Sequence, residues 1–470
     1  MERGPKGGDK RIDVSSHTSL IIQLVSTPIV SAPPPKAGHY RWVICAILFV
    51  ATTINYVDRN VLSFTMLDDA FRRVIIGLPS GAPIGAEEIA LFKTRMGYVD
   101  AAFKFAYALG FLLAGWAIDR LGTRRGFSIS ITVWSIAGVV HGFVNSLAGM
   151  SFARFLLGMG EAGNFPAAIK SVAEWFPRRE RSFATGLFNA GANVGIILTA
   201  LCVPLIVAHF GWRASFILTG GMGFIVLAIW LIAFYRPEAH PKVSAGELAY
   251  IRSDREEDTG HPVKWRHLLP YRATWAFALA KFLTDAVWWF YLTWLPSFFN
   301  DNAALETKLD LKSVGIPFIA IYLVSDCGSI FFGWLATRFI NRGWSVNRAR
   351  KTTMLICALC VAPIFFASTT SSLVVAIVLI ALATAAHQGW SANLFTTVSD
   401  LFPKRAVGSV TGIGGMLGGL GGAILAAAAG KIIAVAGYWP LFIFASSAYL
   451  IALGIIQVLA PRLEPVRLPE

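Results

Sequence analysis

The chain has 470 residues, is 55% hydrophobic and only 14% charged, and carries a formal net charge of +14. A soluble protein of this length needs more charge to cover its surface. The short alternating segments of a membrane β-barrel are absent, so the composition leaves an all-α membrane protein.

Apolar blocks of about 20 residues have the length that crosses a bilayer as helix. Twelve are predicted in chain order, at about 42–67, 96–118, 126–145, 148–172, 182–206, 213–235, 271–299, 313–337, 352–369, 371–398, 406–434 and 438–460. They are numbered here as spans 1 to 12. Residues 1–40 are rich in Gly, Pro, Ser and Lys and read as a disordered tail. The mildly apolar piece Ser19–Val30 is too short to span.

The basic residues sit in short loops. Arg120, Arg124 and Arg125 follow span 2, and Arg178, Arg179 and Arg181 follow span 4. Arg338, Arg342, Arg348, Arg350 and Lys351 follow span 8, and Lys404 and Arg405 follow span 10. This one-sided excess places that face, and both termini, in the cytoplasm. The positive charge therefore reports topology, and no nucleic-acid partner is expected. The five cysteines, Cys45, Cys202, Cys327, Cys357 and Cys360, fall within spans. The Cys357/Cys360 pair has no second pair or nearby His, so it reads as packing and no metal is expected.

The chain repeats itself. Glu174-Trp-Phe-Pro-Arg-Arg179 follows span 4 and Asp400-Leu-Phe-Pro-Lys-Arg405 follows span 10. Each leads into a glycine-bearing span, with Gly186, Gly191 and Gly195 in one and Gly408, Gly412, Gly415, Gly418, Gly419 and Gly422 in the other. Gly115-Trp116 and Gly333-Trp334 repeat at nearly the same offset, each followed by arginines. The pattern predicts twelve transmembrane helices in two six-helix halves, 41–235 and 271–460, with a cytoplasmic linker at 236–270 and a tail at 461–470. Glycines four apart, such as Gly408/Gly412 and Gly415/Gly419, clear a helix face for a close and movable neighbour.

Five charges lie in the middle of apolar runs: Asp58, Arg59, Arg154, Glu161 and Lys281. A charge at bilayer depth costs about 2.5–3.5 kcal/mol even on the gentler insertion scales. Five of mixed sign predict a shared wet site for a charged solute. Arg154 and Glu161 are two helical turns apart, about 10.5 Å along one face, and Asn164 shares that face. Asp285 stands four residues after Lys281, in reach of an ion pair. No nucleophile–base set, metal cluster or nucleotide loop points to an enzyme.

The motif Gly115-Trp-Ala-Ile-Asp119-Arg120-Leu-Gly122-Thr-Arg124-Arg125 resembles the signature loop of the major facilitator superfamily. Asn55-Tyr56-Val-Asp58-Arg59, with Arg154-Phe-Leu-Leu-Gly158-Met-Gly160-Glu161-Ala-Gly163-Asn164, resembles its anion:cation symporter branch. Lys281-Phe-Leu-Thr-Asp285 through Pro296, Gly343 through Lys351 and His387 through Asn393 resemble the bacterial hexuronate transporters within that branch. Three departures stand out. Thr337 replaces an acid in the repeated loop, Ala286 replaces a Pro, and the glycine run of span 11 stands where some members carry a substrate-binding Asn.

The resemblance implies proton-coupled import of a sugar acid such as glucuronate or galacturonate by alternating access. The planar fork of Arg suits the substrate carboxylate, which makes Arg59 and Arg154 its candidate holders. Asp58 and Glu161 are the candidate proton carriers, taking up a proton outside and releasing it inside. Tyr56, Asn164, Lys281, Trp288, Tyr291, Trp390 and Asn393 are candidates for the substrate site, and His387 reads as a core histidine. Gly115, Asp119, Arg120 and Arg124 form the expected conformational gate. Protons serve as the coupling ion, no other cofactor is expected, and the partners are the sugar acid and the lipid bilayer around a monomer in the bacterial inner membrane. Two readings stand beside this one: symport of another organic anion (an aldonate, aldarate or aromatic acid), and a non-transporting membrane sensor of the same fold.

Overall fold

A computed structural model describes residues 1, 4, 38–253, 265–311 and 313–466. Most of the N-terminal tail therefore lies outside the described residues.

Fourteen α-helices are present among the described residues. Those of the first half are α1 (Tyr40–Thr65), α2 (Asp69–Ile76), α3 (Ala86–Leu121), α4 (Thr123–His141), α5 (Leu147–Glu161), α6 (Asn164–Trp175) and α7 (Arg178–Ala233). Helix α8 (Ala245–Arg252) lies in the linker. The second half holds α9 (Arg272–Asp301), α10 (Gly315–Asn341), α11 (Val346–Val361), α12 (Leu373–Leu401), α13 (Lys404–Ala436) and α14 (Trp439–Leu459).

These helices supply twelve spans. Span 4 is built from α5 and α6, which break at Ala162–Gly163 just before Pro166. Spans 5 and 6 run together as α7, turning at Gly211, whose φ of 79° only glycine adopts without strain. Gly122 turns α3 directly into α4 with φ 82°. Span 2 differs from its expected start. Its helix begins at Ala86, and the first turns carry Glu87, Glu88, Lys93 and Arg95. Helix α2 was not expected; Asp68 caps it, accepting from the Phe71 backbone N–H at 2.8 Å.

The repeat has a physical basis at the ends of spans 4 and 10. Pro177 and Pro403 are the N-caps of α7 and α13, with φ −61°, ψ 153° and φ −61°, ψ 149°. Proline fixes that φ and needs no acceptor at a helix start. The acid of each repeated step ties back to the start of an earlier helix. The Thr123 hydroxyl donates to Glu174 at 2.6 Å, and Arg350 Nε donates to Asp400 at 3.2 Å.

Exposed large apolar side chains such as Phe183, Phe210, Ile225, Ile232 and Val435 cover the outside of the bundle, as lipid contact demands. The halves meet mainly where α3 packs along α13 and where α7 packs on α10. The glycines of span 11 lie in that seam. A Cβ on Gly430 would strike the Lys93 carbonyl, and one on Gly419 would come within 3.0 Å of Ala108. Close backbone approach is thus the reason for glycine at both positions.

At the face away from the termini the seam is tied by polar contacts. Lys93 pairs with Asp301 at 2.7 Å, and Tyr438 donates to the same carboxylate at 2.7 Å. Arg72 of α2 donates to Asn300 at 3.3 Å, and Ser63 donates to the Leu292 carbonyl at 2.8 Å. Deeper in, Asn193 donates to Asp326. The halves are closed on each other at this face.

Candidate functional site

Span 1 sets the first residues of the site. Asn55, Asp58, Arg59 and Leu62 recur with helical spacing, and the face they form is buried despite its polarity. Arg59 is 7% exposed and Glu161 is fully buried; Arg59 Nε donates to Glu161 Oε2 at 2.7 Å. The break between α5 and α6 follows Glu161 directly, so its carboxylate sits at the end of a helix segment.

Four aromatic rings enclose the Arg59 guanidinium. Its Cζ lies 4.5 Å from the Tyr56 ring centre, 4.8 Å from Tyr107, 5.1 Å from Trp289 and 5.6 Å from Phe103. Such rings hold a cation by their electron-rich faces. Trp289 comes from the other half, so Arg59 stands in the seam.

Arg154 is 1% exposed. Its Nη1 donates to the Arg59 carbonyl at 3.1 Å, while Nε and Nη2 have no hydrogen-bond partner. Asp58, 2% exposed, has both carboxylate oxygens without a partner. Native interiors rarely leave such groups unsatisfied. A small cavity of about 10 Å³ is lined by Arg59, Asp100 and Arg154 from one half and by Trp289, Leu292 and Thr293 from the other. It has room for about one water molecule. A solute larger than water enters only if the halves part.

The buried charge of this region exceeds what the sequence pattern suggested. Asp100 and Lys104 of span 2 are 4% and 1% exposed and pair at 2.5 Å. They are four residues apart in an apolar run, the same signal that Lys281 and Asp285 give, and sequence reasoning passed over them. Tyr107 and Trp289 were also missed. Trp289 follows Trp288, and one residue turns a helix by about 100°, so adjacent tryptophans serve different neighbours.

The remaining candidates are distributed as follows. Lys281 is turned inward rather than toward the membrane surface, pairs with Asp285 at 2.8 Å and lies 4.4 Å from the Phe395 ring centre. Asp285 sits against span 11, where a Cβ on Gly418 would strike it. Asn164 donates to Thr52 at 3.2 Å and leaves its own Oδ1 unpartnered. Trp288 stacks flat on His387 at 4.6 Å, and His387 Nδ1 is 2.6 Å from the Tyr449 hydroxyl.

Trp390 packs edge-on to Tyr449 at 5.4 Å, within the second half, and Tyr291 is buried beside Phe290. Asn393 accepts from Arg350 at 3.3 Å and donates to the Gly389 carbonyl at 2.9 Å. None of these three lines the Arg59 cavity. Of the expected gate, Gly115 has open space around its Cβ direction, and Arg120 is exposed. Arg124 donates to the Leu231 carbonyl at 2.5 Å and lies 4.1 Å from the Tyr235 ring centre, contacts within its own half. The Asp119 side chain lies outside the described residues.

The chain has matches among known proteins. The family model for the Major Facilitator Superfamily matches residues 48–426. A D-galactonate transporter of Escherichia coli is 30% identical over 429 residues, covering 88% of this chain and 94% of its own. A hexuronate transporter of Escherichia coli is 28% identical, covering 87% and 91%. A probable galactarate/D-glucarate transporter of the same species is 29% identical, covering 82% and 86%. Among solved structures, a D-xylose-proton symporter superposes with a TM-score of 0.67 at 15% identity, covering 89% of this chain and 97% of its own. That likeness shows the fold.

Proposed function

The chain belongs to the Major Facilitator Superfamily, and on that premise we propose that it imports a sugar acid with protons by alternating access. A hexuronate such as glucuronate or galacturonate is the first choice of substrate. The observation that carries the reading is the buried Arg59–Glu161 pair. Arg59 is the group best suited to a substrate carboxylate, and Glu161 already occupies it. The two anions compete for one guanidinium, so neutralising Glu161 with a proton frees Arg59 for substrate. Proton uptake and anion binding then become one event.

The charge balance of the region supports the same coupling. Arg59, Lys104, Arg154 and Lys281 are matched by Asp58, Asp100, Glu161 and Asp285. An entering monoanion upsets that balance by one, and one proton restores it. A second proton can go to Asp58, whose carboxylate is 2% exposed. Arg154 offers two unpartnered nitrogens, Nε and Nη2, to the same substrate, and Tyr56, whose ring centre is 4.5 Å from Arg59 Cζ, and Asn164, three residues after Glu161, are the candidates for its hydroxyls.

In this reading the arginine-rich loops and both termini face the cytoplasm of a bacterial inner membrane, and the carrier works as a monomer. The face closed by Lys93, Asp301 and Tyr438 is then the outer one. Asp119 and Arg120 act at the opposite face when the outer one opens. The relatives also include aldonate and aldarate carriers, which keeps those anions as the second reading. Uptake into proteoliposomes tests both. A panel of hexuronates, aldonates and aldarates is offered under an imposed pH gradient, inside alkaline. Accumulation of a hexuronate above the others supports the first choice. No gradient-driven uptake of any sugar acid refutes the proposal and leaves an aromatic-acid symporter or a sensor of the same fold.

A further inference from the structure

Lys104 is among the largest fully buried side chains, yet its pairing is not contained within its own half. Its ammonium has three N–H donors. One goes to Asp100 Oδ2 at 2.5 Å, one turn earlier on span 2. The other two cross the seam, to the Trp289 carbonyl and the Thr293 hydroxyl of span 7, each at 3.4 Å. An Asp–Lys pair that served span 2 alone would need neither. Lys104 thus grips a single turn of span 7, and any parting of spans 2 and 7 strips two of its three acceptors.

The turn it grips carries the ring that encloses Arg59. Lys104 Nζ lies 5.5 Å from the Trp289 ring centre, and Arg59 Cζ lies 5.1 Å from the same centre. On another side of the indole runs span 11, where a Cβ on Gly422 would come within 2.6 Å of Trp289 Cδ1. The indole is wedged, and its position reports whether the seam is closed.

We propose that Lys104 is a positioning residue of the transport cycle, clamping the Trp289–Thr293 turn while the face away from the termini is shut and so seating Trp289 against Arg59. The inference rests on alternating access as argued above, but its first readout needs no substrate. Ser63, 4% exposed and on the seam, is replaced by Cys in an otherwise cysteine-free protein, and labelling by a membrane-impermeant maleimide is timed. Lys104→Met should label about tenfold faster than the parent, the effect of losing roughly one net hydrogen bond across the seam. Lys104→Arg, which keeps the charge and the reach, should stay close to the parent rate. In transport, Lys104→Met should raise KM for the carried sugar acid, and Lys104→Arg should restore it.

Where Lys104→Met fails to fold because Asp100 is left unpaired, the double variant Asp100→Asn/Lys104→Met removes both charges and should show the same fast labelling. Parent-like labelling in a folded Lys104→Met or double variant overturns the clamp. So does fast labelling in a folded Lys104→Arg. A carrier that takes up no sugar acid refutes the substrate reading, while the labelling rates still decide the clamp.

Discussion

Glu161→Gln separates the proton from the anion. The amide keeps the volume of the fully buried side chain and leaves an oxygen to accept from Arg59, now 2.7 Å from the carboxylate. What it removes is the negative charge that competes with substrate. A hydrogen bond to a charged group contributes about 1.5–3 kcal/mol net, so the unmasked Arg59 should bind a sugar acid about 10- to 150-fold more tightly at neutral or alkaline pH. The sign with pH follows. On the proposed competition, raising the pH should restore the charge of Glu161 and its hold on Arg59 in the wild type, so affinity should fall as pH rises. In Glu161→Gln that dependence should flatten. Accumulation should behave oppositely. One proton per monoanion across one pH unit is worth about 1.4 kcal/mol, or about tenfold accumulation. The variant should lose the part of this drive that passes through Glu161, yet exchange labelled for unlabelled substrate. Binding by calorimetry across pH, with gradient-driven uptake and counterflow in proteoliposomes, reads all three. Wild-type accumulation together with an unchanged pH dependence of affinity would refute the competition argument.

Arg59→Ala should abolish substrate binding, measured by calorimetry. It also leaves Glu161 buried without its partner, which costs about 3–5 kcal/mol, so Arg59→Ala/Glu161→Gln should recover the melting temperature without recovering binding. Gly430→Val places a branched side chain against the Lys93 carbonyl; the folded variant, carrying Ser63→Cys as its only thiol, should react rapidly with the maleimide and lose uptake. Gly158→Ala drives a methyl into the Phe103 carbonyl and should lower the melting temperature by several degrees, the scale of a small overpacking of about 1–3 kcal/mol. Reporter fusions to the two termini should both give cytoplasmic signals.

The fold was legible because lipid imposes a length on each span and a sign on each loop. The repeated Phe-Pro step was legible because it caps two equivalent helices, α7 and α13, with the same backbone angles. At the site, Arg59 and Glu161 announced themselves as charges in apolar runs, and they meet. Asp100 and Lys104 gave the same signal and were missed, although both lie inside the predicted span 2, 96–118, in its first half. Trp390, Tyr291 and Asn393 illustrate a different difficulty. Helical spacing tells which residues share a face but not which neighbour that face meets. Trp390 meets Tyr449 and Asn393 meets Arg350, both inside the second half. Trp289 lies one residue from Trp288, and only packing decided which indole would reach Arg59.

The short helix Asp69–Ile76 lies at the shut face, with Phe71, Ile75 and Ile76 buried and Asp69 and Ala70 exposed. It belongs to the first half, yet its Arg72 reaches Asn300 of the second. A synthetic antibody fragment that seats over both would work as a staple, holding the carrier in one posture for imaging. A fragment that needs Arg72 for itself would instead prise the two apart, so a single short helix gives opposite mechanical control.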